Sequence, residues 1–119
     1  MEVWERDFEW LKIRHHIKDD LKREQLPDLN AVLFLIGIQE LGRWRDSFTK
    51  EEKQDLMHVA VCTVLIPKGF YSFVGRDEEG WPHFERIRAI EKLTVAEQEQ
   101  ILIEGVIHYF KERENESIQ

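Results

Sequence analysis

The chain has 119 residues and a mass of 14.4 kDa, the size of one domain, since typical domains run to roughly 100–150 residues. Apolar residues make up 42% and charged residues 34%, with only 6 Gly and 3 Pro, which excludes a disordered chain, a collagen-like chain and a disulfide scaffold and favours helix. A net charge of -7 leaves no basic excess of the kind that phosphate neutralisation requires, so nucleic acid is not an expected partner of this acidic protein.

Residues 3–26 read as a first helix, charged and free of Gly and Pro until Pro27 stops it. Its apolar residues form two stripes. Trp4, Phe8 and Leu11 follow i, i+4, i+7, and His15 extends that line as a partly buried packing residue. Val3, Trp10, Ile17 and Leu21 follow i, i+7, i+14, i+18. At ~100° per residue the stripes lie about 130° apart, with Arg14 and Lys18 between them. Such a helix packs either as one wide buried face or on two bodies, its own core and a second subunit. Trp4, Trp10 and Ile17 are the candidate interface anchors.

Asp28 is a good N-cap for a second helix over 29–41, and Gly42 is placed to close it. The run Ala31–Ile38 is apolar on every face, which predicts the central buried helix. Gly37 marks a close helix–helix approach within it. The Arg43-Trp44-Arg45 triplet that follows is the nearest thing to a basic-aromatic patch. Cations also suit the negative pole of a helix C-terminus, and that is the plainer reading.

Thr49-Lys50-Glu51-Glu52 is a capping box that starts a third helix running to about Ile66, before Pro67. Phe70–Val74 is strand-prone, Asp77-Glu78-Glu79-Gly80 is a turn, and Trp81–Ile87 is the returning strand, with Pro82 confining it to an edge. A second capping box, Thr94-Val95-Ala96-Glu97, starts a fourth helix to about Arg113, and residues 115–119 are expected to fray. The fold expected is therefore mainly α: a single domain over 1–119 with four helices and a β-hairpin over about 70–87 between the third and fourth.

One cysteine, Cys62, permits no internal disulfide, and Met1–Trp10 lacks the apolar core of a signal peptide. The longest apolar stretches, Ala31–Ile38 and Val59–Ile66, fall well short of the ~20 residues of a membrane span. A cytoplasmic protein without a membrane partner is expected.

Three groups of residues carry chemistry. Glu51, Asp55, His58 and Cys62 share one stripe of the third helix, and carboxylate plus imidazole at i, i+3 is the spacing of carboxylate metal sites in helical bundles. If the second and third helices run antiparallel, Glu40 joins Asp55 and His58 as ligands for a divalent metal. Acids in a first turn also suit the helix dipole without any metal. Glu51-Glu52-x-x-Asp55 resembles the acidic motif of all-α nucleoside-triphosphate pyrophosphohydrolases, which hold Mg²⁺ through carboxylates. The likeness covers five residues, and no second acidic motif is evident. His58 and Cys62 at i, i+4 allow a thiolate–imidazole pair, against the default of a core cysteine. Glu104 and His108 read as part of a solvated face. Finally, Asp77, Trp81 and His83 gather at the hairpin, as a small-molecule pocket, an interface, or a tip whose Trp folds back onto the helices.

No complete catalytic set is present. The expectation is an interaction or structural protein that self-associates. The alternatives are a metal-dependent or metal-binding protein built on Glu40, Asp55 and His58, and a small-molecule binder with its pocket beside the hairpin.

Overall fold

In a computed structural model, which describes residues 1–43 and 45–118 and the side chains through residue 114, the chain forms four helices and one hairpin. The order is α1 (Val3–Asp20), α2 (Leu29–Leu41), α3 (Lys50–Leu65), β1 (Tyr71–Arg76), β2 (Pro82–Arg86), a 3₁₀ turn (Ile90–Lys92) and α4 (Val95–Ile118). Trp44 of the basic-aromatic triplet and Gln119 of the expected frayed tail lie outside the described residues.

The expected start signals operate as chemistry. The Asp28 carboxylate accepts from the Ala31 amide at 2.8 Å, and Gly42 closes α2 in the left-handed region at φ 78°. Both capping boxes form with both bonds in place: Thr49 with Glu52, and Thr94 with Glu97. Each satisfies two amides that the first helical turn would otherwise leave orphaned.

Two boundaries differ from expectation. The first helix ends at Asp20 rather than near residue 26. Lys22 turns left-handed at φ 52°, its amide bonds to the Asp19 carbonyl, and the Arg23 amide bonds to the Lys18 carbonyl at 2.9 Å. Those nested bonds cap the helix without the usual Gly. Arg14 then holds the departing chain, its Nε donating to the Pro27 carbonyl at 2.8 Å. At the other end, α4 runs past Arg113 to Ile118.

The central element is α3, not the apolar α2. It packs on α2, on α4 and on both strands. Two glycines explain how closely. A Cβ on Gly37 would overlap the Leu56 carbonyl oxygen, and a Cβ on Gly105 would overlap that of Val64. Leu56 and Val64 sit eight residues apart on α3, or about 12 Å along the axis at 1.5 Å per residue. So α2 and α4 each meet α3 backbone to backbone, at two levels. Around these crossings the core contains Val32, Leu33, Ile36, Ala60, Cys62, Val64, Leu65 and Val106, all nearly inaccessible to solvent.

Tyr71 to Arg76 pairs antiparallel with Pro82 to Arg86 in a two-stranded sheet, so Pro82 does lie on an edge. A bulge between Phe73 and Gly75 breaks the alternation of the first strand. The hairpin is tied to the helices at both ends. Arg76 donates to the Glu40 carbonyl at 2.7 Å, at the end of α2. Arg88 lies over the Phe70 ring and donates to the Lys68 carbonyl at 2.6 Å.

Candidate functional site

α1 has two faces with opposite fates. It packs on α4 through Ile17, which is buried, and through Trp10 and Ile13, which lean on the same core. Of the candidate interface anchors, Ile17 is buried in the chain's own core and Trp10 is half-buried against it. A residue 8% exposed cannot anchor a partner without unpacking the domain. The other stripe stays outside. Trp4 is 69% exposed, Phe8 59% and Leu11 44%. His15, next on that line, is exposed as well rather than partly buried, because nothing among the described residues covers it. At ~100° per residue Trp4, Phe8, Leu11 and His15 form one continuous strip down the outer side of the helix.

The stripe on α3 is not assembled into a centre. Glu51, Asp55 and His58 are exposed, and Cys62 is buried beneath them. His58 Nε2 lies 3.5 Å from Cys62 Sγ, and the His58 ring meets the Tyr71 ring edge to face. Burial pushes the Cys62 thiol up to about 11, so it stays protonated and unreactive beside that imidazole. Burial also raises the Tyr71 phenol. Glu52 bonds back to its own capping box and to Arg45, and the Arg45 hydrogen bond holds its carboxyl below the usual range.

Glu40 points elsewhere. Its Oε2 accepts from the Tyr109 hydroxyl at 2.7 Å and from the Arg113 guanidinium at 2.5 Å, both on α4. Among the described residues no three His, Cys, Asp or Glu side chains come together in a group that would hold a metal ion. Glu104 and His108 make separate pairs, with Lys68 and Glu112. Sequence reasoning missed the Glu40–Tyr109–Arg113 cluster. No local pattern marks a bond across 69 residues of chain.

At the hairpin tip, Asp77 organises the turn. One carboxylate oxygen accepts from the Glu79 and Trp81 amides, each at 2.9 Å, and the other pairs with His83 Nε2 at 2.9 Å. The His83 bond, followed by that from the Trp81 amide, holds the Asp77 carboxyl below its usual range. Trp81 folds onto Ile38, Leu41 and Leu56, while His83 is exposed on the strand beyond. A cavity of about 290 Å³ opens beside Trp81, lined by Leu41, Arg43, Arg45, Glu52, Glu78 and Glu79. His83 is not among its walls. A second group of exposed apolar side chains, Phe73, Val74 and Ile87, lies on the hairpin. The bulge that turns Phe73 and Val74 both outward was not readable from the alternation of the strand.

No helix among the described residues is long and apolar enough to cross a membrane. Comparison with family models, with curated proteins and with solved structures found no match to this chain.

Proposed function

We propose that this chain acts by association, as an interaction protein that docks to a second copy of itself through the outer stripe of α1. The observation that carries this reading is the exposure of Trp4, Phe8 and Leu11 in one continuous line on a helix that already packs on the core through Trp10, Ile13 and Ile17. Large side chains scattered singly on a surface need no explanation, but an aligned strip with a Trp at its end has the character of an interface core. Trp is also among the residues that most often dominate binding energy.

Light scattering over a dilution series tests it. The weight-average mass is expected to rise from that of one chain toward that of two as concentration reaches the high micromolar range. A clean monomer throughout overturns the reading. The variant Trp4→Ser/Phe8→Ser is expected to stay monomeric and folded, since exposed substitutions usually change stability by within ~0.5 kcal/mol.

The cavity beside Trp81 favours a second reading, a small-molecule site at the hairpin tip. Its walls carry Arg43 and Arg45 together with Glu78 and Glu79, which suits a ligand bearing both charges. A ligand that changes Trp fluorescence in the wild type and equally in Trp81→Phe would count against it.

A further inference from the structure

Two copies could meet along the outer stripe in more than one orientation, and the charges that flank the stripe select among them. Trp4, Phe8, Leu11 and His15 run along the middle of the exposed face. At ~100° per residue, Glu5 and Lys12 lie within about 20° of each other on one flank of that strip. Asp7 and Arg14 lie equally close together on the other flank. On each side an acid stands seven residues before a base, about 10.5 Å apart along the axis.

This arrangement is self-complementary in one orientation only. When two such helices run antiparallel about a two-fold axis, each flank faces the same flank of its partner, with chain direction reversed. Glu5 then meets Lys12 of the other copy, and Asp7 meets Arg14. Phe8 meets Leu11, and Trp4 meets His15. All four pairs share a midpoint within about one residue of the same point, halfway between Phe8 and Leu11. When the helices run parallel, each flank faces the opposite flank in register. Glu5 then meets Asp7 and Lys12 meets Arg14, like against like on both levels.

Asp7 and Lys12 are exposed, and Glu5 is half-buried. The Lys12 side chain is 60% exposed and lies 3.9 Å from Glu9. The Asp7 side chain is 66% exposed beside its neighbour Arg6. Arg14 is half-buried, with Nε on the Pro27 carbonyl and its guanidinium over the Trp10 ring, so the Glu5–Lys12 flank is the freer of the two.

We propose that two copies of this chain pair through α1 in antiparallel, two-fold register, with Glu5 of each copy set against Lys12 of the other. This rests on the reading that the outer stripe is a self-association surface. Charge complementarity selects a second copy as the occupant, and the two-fold makes one patch serve both partners.

Sedimentation equilibrium of full-length charge variants tests orientation separately from association. In Glu5→Lys, antiparallel pairing sets the introduced ammonium against Lys12 at both ends of the pair. Two attractive pairs become two repulsive ones, and dimerisation is expected to weaken about fivefold or more. In the double variant Glu5→Lys/Lys12→Glu the pairs are restored with reversed sign, and affinity is expected to return to within about twofold of wild type. The double variant carries the same loss of an acid from the first helical turn, so its recovery separates pairing from helix stability. If Glu5→Lys strengthens the dimer, or the double variant fails to recover, the antiparallel register is wrong although self-association stands. A wild type that never dimerises overturns both proposals, and an unchanged helical circular dichroism spectrum shows that each variant is folded.

Discussion

The Tyr109 hydroxyl and the Glu40 carboxylate, 69 residues apart in sequence, are joined by a 2.7 Å hydrogen bond between α4 and the end of α2. Arg113 closes on the same oxygen. Because Arg76 also binds the Glu40 carbonyl, one residue ties the last helix and the hairpin to α2.

Removing that bond has a measurable consequence. Tyr109→Phe is expected to cost ~1 kcal/mol, the usual net value of one hydrogen bond, in urea unfolding. Glu40→Ala is expected to cost more, since it leaves a buried phenol and a guanidinium without their shared acceptor. Burial, followed by the Glu40 hydrogen bond, raises the Tyr109 phenol above its ordinary value. A raised acid favours the folded state below its unfolded value. The benefit starts to fade as pH climbs past the ordinary phenol value near ~10 and is lost toward the higher folded value, so wild type is expected to lose more stability there than Tyr109→Phe.

The two glycine crossings predict a contrast with an exposed turn. Gly37→Ala and Gly105→Ala each press a methyl into an α3 carbonyl, and each is expected to cost at least ~1–3 kcal/mol, a typical overpacking cost. Lys22→Gly goes the other way. It relieves a left-handed non-glycine residue at φ 52° and is expected to gain up to ~1 kcal/mol. Thermal melts distinguish the two directions at once.

Much of this fold was legible locally. Asp28, Gly42, Thr49, Glu52, Thr94 and Glu97 act on amides within a turn of themselves, so the sequence around each cap contains its whole explanation. Pro82 and the Asp77–Gly80 turn are local in the same sense. Gly37 was readable because a lone Gly in an apolar helix needs a reason. Gly105, amid Glu104 and His108, gave no such contrast. Partners fixed by tertiary packing were not legible. Glu40 went to Tyr109 and Arg113 instead of to Asp55 and His58. The two stripes of α1 were visible, but which of them faced the core depended on where α4 lay.

The single thiol offers a chemical check on packing. Cys62 is fully buried, and burial pushes it up to about 11. It is expected to resist a thiol reagent in the native protein at pH ~8 and to react fully in denaturant. Since the folded value is raised, its contribution to stability holds below the unfolded thiol's ~8.5 and fades as pH rises from there toward the folded value. Fast native reaction would show that α3 is not buried under Tyr71.

Asp77 predicts behaviour in acid. Its lowered carboxyl favours the folded turn at pH above the ordinary aspartate range, and that contribution is lost as pH falls through its folded value, below ~4. Asp77→Asn is expected to flatten the acid limb of a hairpin-sensitive signal, read from the emission of Trp81 in a variant lacking the other three tryptophans. An acid limb unchanged by the substitution would assign that transition to another group.

Trp4, not the hairpin, is the side chain expected to meet the second copy. Fluorine NMR of protein labelled with 5-fluorotryptophan reads this directly, with each resonance assigned by single Trp→Phe variants. On dilution from high to low micromolar concentration, the Trp4 resonance is expected to shift while that of Trp81 stays fixed. A Trp4 resonance that does not respond to concentration, or a Trp81 resonance that moves in its place, would contradict self-association through the outer face of α1.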